Sequence, residues 1–328
     1  MDHYFETGEA SAYVRRYDEE IAPKNASALF RPHTQKIIEL SGGRFNDIQY
    51  RAKEFRLCYT DDEGHIVDKD PNPFCFTAAV NTWMTQKGQD RGTVWSILYD
   101  EFLTRDGYLK NEFVDFMNVV SSFVRDRDNA IIYMFANTVS KFSPYWEELG
   151  IKSIETMEQG DIRVYQYGNS DLSVAIEYCP DVAATDKVAS KYFAFDNPQL
   201  AMISNGKWEI MAYEHLTHSL DLDKVLFNAY IEFDGKVLCM NVVLNGTELY
   251  GFIHPQTKEV KYTTTSILYT SRATLERCHV HFLKDCPTRA HEIVKNLILK
   301  KALFFATNEC GETFRAWLIN EQGIKGLY

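Results

Sequence analysis

The run VWSILYDEF at 94–102 constrains this chain most, because an almost unbroken apolar stretch stops abruptly at Asp100-Glu101. A strand buried on both faces reads as such a run, and in open α/β sheets ligands gather beyond the carboxyl ends of these strands. The run therefore predicts a central parallel strand with two carboxylates at its ligand end. That is the pattern of a Walker B pair. In that chemistry the first acid holds Mg²⁺, usually through water, and the second orients or deprotonates the water that attacks a γ-phosphate. Taken alone, the same pattern also describes a solvated turn at a strand end.

A second apolar run, AIIYMFAN at 130–137, follows about thirty residues later and ends at Asn137. Between the two, Leu109, Phe113, Phe116, Val120 and Phe123 recur at spacings of three and four, as the core stripe of a helix requires. Strand, helix, strand with a right-handed crossover makes the two strands parallel and adjacent, so Asp100, Glu101 and Asn137 converge on one sheet edge. There Asn137 is read as a sensor whose amide reaches the attacking water or the γ-phosphate. Arg125 and Arg127 fall where the helix runs out, as site arginines or as cations complementing a helix C-terminus.

These residues carry a family resemblance. SILYDEFLTRDGYLKNEF at 96–113 and SSFVRDRDNAIIYMFANTVSKFSPYW at 121–146 resemble the core of the DNA-packaging ATPases, or encapsidation proteins, of the small protein-primed podophages of the Salasvirus type. SAYVRRY at 11–17 is similar to the strand after that family's phosphate-loop helix, and KVLCMNVVLNGTELYGFIHPQTKEV at 236–260 resembles strands of its C-terminal domain. The resemblance implies a terminase-like ring motor: an α/β, mostly parallel ASCE-type ATPase domain with a smaller C-terminal RNase H-like domain that has lost nuclease activity. It implies ATP and Mg²⁺ as cofactors, with Asp100 on the metal, Glu101 on the water, Asn137 as sensor and Arg125 inserted in trans into a neighbouring subunit's site. Double-stranded DNA, a portal or connector protein and possible dependence on a packaging RNA come with it, as does action in the host cytoplasm at the procapsid portal vertex.

One departure is plain. No G-x-x-x-x-G-K-S/T occurs in the 328 residues, and Ser41-Gly42-Gly43 and Lys87-Gly88 have neither the loop length nor the following Lys-Ser/Thr that cradles phosphates. The expectation is an ATPase domain whose phosphate-loop segment lies outside this sequence, a fragment rather than a degenerate paralogue.

The net charge of −11 argues against indiscriminate coating of nucleic acid, which needs a basic surface to release counterions. A translocase instead grips phosphates with a few cations, for which Arg15, Arg16, Lys53, Arg56 and Lys87 are the candidates; each also reads as a solvated surface charge. Seven cysteines scattered through apolar segments suggest reduced thiols, and no run of eighteen apolar residues marks a membrane span.

The domain reading is 1–180 for the ATPase domain, 181–212 for a linker without periodicity, and 213–328 for the C-terminal domain. In the first, strands are expected at 10–17, through a hairpin meander around Asp61-Asp62-Glu63-Gly64, and at FCFTAAV. In the last, VLFNAYIEF, KVLCMNVVLN and TELYGFIH form an antiparallel meander turned at Asp234-Gly235 and Asn245-Gly246, followed by a helix over 288–303. Two rival sites are weighed. A working nuclease would need three or more clustered acids, for which Asp223, Glu232, Asp234, Glu248 and Glu292 are the available set. Cys278-His279-Val280-His281 with Cys286 gives only one irregular half of a zinc site.

Overall fold

The computed structural model describes residues 1–86, 94–125, 129–137, 140–152, 154–168, 170–179, 211, 213–256, 258–259, 266–271 and 281–328. They divide into two compact units. The first is Met1–Thr104, Leu109–Asn137 and Glu147–Leu149; the second is Arg105–Tyr108, Thr138–Trp146 and Gly150–Tyr328. Residues 150–179 thus group with the second unit, and of the expected linker only Met211 lies among the described residues.

The first unit opens with helix α1 (Asp2–Thr7), strand β1 (Ala10–Arg15) and two short helices, α2 (Pro23–Ala26) and α3 (Thr34–Leu40). Strands β2 (Asp47–Arg51), β3 (Glu54–Thr60), β4 (Ile66–Lys69), β5 (Cys75–Ala79) and β6 (Val94–Asp100) follow, then helix α4 (Glu112–Val124) and strand β7 (Ile131–Phe135). All seven strands form one sheet in the order β2-β3-β5-β1-β6-β7, with β4 on β3. Its central part, β5-β1-β6-β7, is parallel, and β2, β3 and β4 are antiparallel additions. The fold is therefore mixed α/β with a parallel centre.

Strand alternation explains the burial. Ala10, Ala12 and Val14 of β1 are buried, and every residue of β5 is buried, as expected for a strand with parallel and antiparallel neighbours on both sides. Helix α4 buries Phe116, Val119, Val120 and Phe123, while Leu109 precedes the helix and Phe113 is half-buried. The meander contains a turn that the sequence did not signal. Arg51 pairs with Glu54 across Ala52 and Lys53, both with positive φ, a conformation usually left to Gly, Asn or Asp.

Strand β7 is different. Among the described residues it pairs with β6 alone, and Ile131, Ile132, Tyr133 and Phe135 are 38–49% exposed on its two faces. A parallel strand carrying apolar side chains on both faces is normally covered on both, so this edge is open.

The second unit contains helix α5 (Pro144–Glu148, whose Pro144–Trp146 part falls here), the hairpin β8 (Ile162–Gln166) and β9 (Ser173–Glu177), and a five-stranded sheet. In that sheet β10 (Val225–Phe233), β11 (Lys236–Asn245) and β12 (Glu248–Pro255) form the expected antiparallel meander. Strand β13 (Ile267–Tyr269) runs parallel to β10, and β14 (Leu303–Phe305) runs parallel to β12. The Asp234-Gly235 turn is as expected; the second turn is centred one residue on, at Gly246-Thr247.

The helix expected over 288–303 ends earlier. Helix α6 (Arg289–Leu299) stops, Lys301 takes positive φ, and the chain becomes β14 before helix α7 (Asn308–Asn320). Periodicity missed the break because Leu303 and Phe305 also continue an apolar pattern. The core of this unit gathers Tyr269, Phe282, Phe305, Phe314 and Trp317, with Trp317 5.6 Å from Phe314 and 5.7 Å from Phe282 between ring centroids.

In α7, Gly311 admits a neighbour that no other residue would. A Cβ there would stand 2.3–2.5 Å from three atoms of the Tyr213 ring, and Tyr213 is itself fixed by hydrogen bonds from its N–H to Asn308 Oδ1 (3.1 Å) and its hydroxyl to Glu312 Oε1 (3.2 Å). In an ordinary helix interior Gly→Ala gains about 0.5–1 kcal/mol. Here Gly311→Ala should lose about 1–3 kcal/mol through overpacking, read as a lower urea midpoint at unchanged slope.

Candidate functional site

Parallel pairing sets the candidate site. Asp100 ends β6 opposite Phe135 of β7, and the Phe102 N–H donates to the Phe135 carbonyl at 3.1 Å. Asp100 and Glu101 therefore leave the sheet at the same edge as Asn137, which is exposed two residues beyond β7. On the other side, Val14 of β1 lies opposite Tyr99, which brings Arg15 next to Asp100.

Two consecutive arginines then divide the work by strand alternation. Arg16 continues the buried face of Ala10, Ala12 and Val14 and is only 6% exposed. Its Nε donates to both carboxylate oxygens of Glu112, at 3.1 and 3.0 Å. Its Nη1 donates to the Glu101 carbonyl (3.1 Å) and its Nη2 to the Phe102 carbonyl (2.6 Å). Glu112, at the first turn of α4 where a negative charge meets the positive helix end, also accepts from the Tyr99 hydroxyl (3.0 Å) and the Leu109 N–H (2.8 Å). This buried cluster fixes the turn in which Glu101 adopts φ +57°, uncommon for a side chain with a Cβ.

Arg15 lies on the opposite face of β1, with Tyr13. Its Nη1 donates to Asp100 Oδ2 at 2.8 Å, and its Nη2 to Glu20 Oε1 and Glu101 Oε2, both at 2.6 Å. The Tyr13 hydroxyl donates to the same Asp100 oxygen at 2.8 Å. Burial, then the hydrogen bond to Asp100, pushes the Tyr13 phenol up to about 12. For Arg15, burial opposes the charge, but hydrogen bonds to Glu20 and Tyr13 outweigh it and raise its pKa above the ordinary arginine range. Asp100 Oδ1 and Glu101 Oε1 face no hydrogen-bond donor among the described residues.

Three expected DNA contacts are thereby corrected or set aside. Arg16 is buried and Arg15 is engaged by three carboxylates, so neither presents a free cation; Lys87 lies outside the described residues. Lys53 pairs with Asp18, and Arg56 with Glu54. The signal for Arg16 was present in the period of two along SAYVRR. Nothing in the sequence pointed to Glu112, 96 residues away, as its partner. Arg125 closes α4 at its exposed C-terminal end with φ +41°, and Arg127 lies outside the described residues.

Among the described residues no group of three or more His, Cys, Asp and Glu side chains is placed to hold a metal ion. In the second unit Glu232 accepts from Thr270 Oγ1 at 3.2 Å, while Asp223 and Glu248 are exposed in separate turns. Cys278 and His279 lie outside the described residues, and the Cys286 thiol donates to the Phe282 carbonyl at 2.9 Å. Cys58, Cys75, Cys239 and Cys310 are buried free thiols, and no helix of the described residues is long and apolar enough to cross a membrane.

Comparison with known proteins agrees with the resemblance read from the sequence. Residues 1–156 match the family model of the podovirus DNA encapsidation protein (Gp16). A DNA packaging protein of Bacillus phage B103 is 28% identical over 156 residues, 46% of this chain and 42% of that protein. The chain thus matches less than half the length of that relative. In three dimensions the chain is similar to a chain of the bacteriophage Phi-29 viral genome packaging motor assembly, with TM-score 0.51 at 16% identity, covering 96% of this chain and 89% of that one. It also matches the N-terminal domain of the DNA packaging ATPase from bacteriophage phi29, with TM-score 0.41 at 20% identity over 56% of this chain and 81% of that one.

The buried pair should be tested by removing one partner. Glu112→Ala leaves the Arg16 guanidinium uncompensated inside the unit and should cost about 3–5 kcal/mol in chemical denaturation. The double variant Arg16→Met with Glu112→Leu should recover most of that loss. Equal destabilisation by single and double variants would show that packing volume, not the charge pair, is what matters there.

Proposed function

We propose, from the match of residues 1–156 to the podovirus DNA encapsidation family, that this chain is a subunit of a viral DNA-packaging motor whose first unit hydrolyses ATP. The observation that carries the reading is the convergence of Asp100, Glu101 and Asn137 at the carboxyl ends of two adjacent parallel strands, where α/β sheets take their ligands.

The donor set suits Mg²⁺ held together with a nucleotide. Magnesium takes one or two carboxylates and completes its shell with water and phosphate oxygens, which agrees with a site offering Asp100 rather than a cage of acids. When bound, the ion would neutralise charge on the β- and γ-phosphates. Asp100 holds it through the oxygen that Arg15 and Tyr13 leave unengaged. Glu101 orients the attacking water and accepts its proton at a carboxylate oxygen, with the backbone of that turn held by Arg16. The Asn137 amide donates to the water or the γ-phosphate. Arg125, at the end of α4, serves a neighbouring subunit's nucleotide in trans.

The residues present serve the metal and water side of this chemistry but not the grip on the phosphates, since no phosphate loop exists in the sequence. The open edge of β7 offers a place where a further parallel strand leading into such a loop can pair. In this reading the second unit is a vestigial nuclease of the RNase H kind, supported by a three-stranded meander extended by parallel β13 on β10. The assembled ring would act on double-stranded DNA at the portal of a procapsid in the host cytoplasm, with a packaging RNA as a further candidate partner.

Lacking the phosphate loop, this chain should bind ATP more weakly than about 1 mM and show no turnover, by titration calorimetry and phosphate release. Supplying a strand and phosphate loop ahead of it should restore both. Micromolar ATP affinity in the present chain would overturn the assignment of the missing grip.

The trans role is tested by mixing. In a loop-bearing protein, Glu101→Gln should bind nucleotide yet hydrolyse it at least about a hundredfold more slowly, and Arg125→Ala should lose about 10³-fold in rate. Mixed rings of the two contain interfaces with a sound Glu101 and a sound Arg125, so partial activity should return. If mixed rings form and stay inactive, Arg125 acts within its own subunit or is structural.

A further inference from the structure

Both loops that carry the candidate catalytic side chains continue directly into segments that pack within the second unit. After Glu101 the chain passes into that unit at Arg105 and returns to the first at Leu109; after Asn137 it enters the second unit again through 138–146. Only Phe102, Leu103 and Thr104 separate Glu101 from Arg105, and the first two of these are buried, so the connection has little slack.

The anchoring contacts are specific. Arg105 Nη2 donates to both carboxylate oxygens of Glu312 in α7, at 2.6 and 2.8 Å, with side chains 12% and 14% exposed. Glu312 Oε1 also accepts from the Met211 N–H at 2.8 Å and the Tyr213 hydroxyl at 3.2 Å. Gly107, at φ +88°, lies so close to α7 that a Cβ would stand 2.6 Å from the Ile319 side chain. In the other segment the Phe142 ring packs on Phe233 at the end of β10, at 5.7 Å between centroids, with Lys236 of β11 over its face. Tyr108 ties the two segments together: its hydroxyl donates to the Phe142 carbonyl at 3.3 Å, and its ring lies 6.1 Å from that of the fully buried Tyr145.

We propose that Arg105, Tyr108 and Phe142 are positioning residues that transmit the state of the Asp100, Glu101 and Asn137 loops to α7 and to the β10–β11 turn. A charge-assisted pair of low exposure has a fixed geometry, and close-packed side chains pass a displacement on rather than absorb it. A shift of the turn after β6 therefore pulls on Glu312 within a few residues of chain, and a shift beyond β7 presses on Phe233. The second unit in this way reads the first without touching the reacting atoms. The proposal rests on the reading of Asp100, Glu101 and Asn137 as catalytic side chains, but its test uses no nucleotide and so fails or succeeds independently of that reading.

The test is hydrogen exchange on the full chain, with Arg15→Ala as the input, since Arg15 links Asp100 to Glu101. Peptides over 308–320 and 233–236 should exchange at least about twofold faster in Arg15→Ala than in the unsubstituted protein, while 47–60 at the far edge of the first sheet stays unchanged. In a background carrying Arg105→Ala and Phe142→Ala, Arg15→Ala should no longer alter exchange over 308–320 or 233–236. The charge-reversed pair Arg105→Glu with Glu312→Arg should restore the response over 308–320, which a purely structural loss would not do. The proposal is overturned if 308–320 ignores Arg15→Ala, or if it responds equally with and without Arg105 and Phe142.

Discussion

The buried pair of Arg16 and Glu112 is the constraint on which the first unit's geometry depends. One guanidinium satisfies the Glu112 carboxylate and the carbonyls of Glu101 and Phe102, and Glu112 in turn receives Tyr99 and the start of α4. A charge pair withdrawn from water is worth little in net stability when complete and costs several kcal/mol when broken. Its value here is geometric. It joins the end of β1, the turn after β6 and the first turn of α4 at one point, and so holds Glu101 in a backbone conformation that its own side chain disfavours.

Arg15, the next residue back, does the opposite task in a wetter place. It gathers Glu20, Asp100 and Glu101, whose side chains are 30%, 38% and 56% exposed, around a guanidinium that is 15% exposed. Pairs so open to solvent contribute modestly to stability. They offset the repulsion between adjacent carboxylates and orient them, leaving one oxygen of each turned away from Arg15. Two neighbouring cations in a chain of net charge −11 are thus committed to acids on opposite faces of a single strand, which removes both from any DNA-gripping surface.

The sheet is finished on one side and open on the other. Antiparallel β2, β3 and β4 cap the β5 side, with a small aromatic core of their own around Phe45, Phe55 and Phe74. On the other side β7 presents apolar side chains on both faces and an unpaired edge among the described residues. An edge of this kind is a template for another strand, and it adjoins the loop of Asn137. The unfilled edge and the missing phosphate loop point to the same gap in the site.

The sequence by itself determined what local pattern can encode: the apolar run that stops at Asp100-Glu101, the parallel strand ending before Asn137, the helix between them, and the antiparallel meander turned at Asp234-Gly235. Period, turn chemistry and the handedness of crossovers suffice for these, because each concerns neighbours in the chain. It did not reveal the Ala52-Lys53 turn, which lacks the usual residues, or the break between α6 and β14, where the apolar pattern runs on. Only the tertiary structure decided that β5 lies beside β1, that Arg16 is buried against a glutamate 96 residues away, and that Arg15 binds the acids it was expected to sit apart from. A charged side chain reads the same in sequence whether it meets solvent, phosphate or a carboxylate, and the long-range pairing of strands alone settles which one stands opposite it.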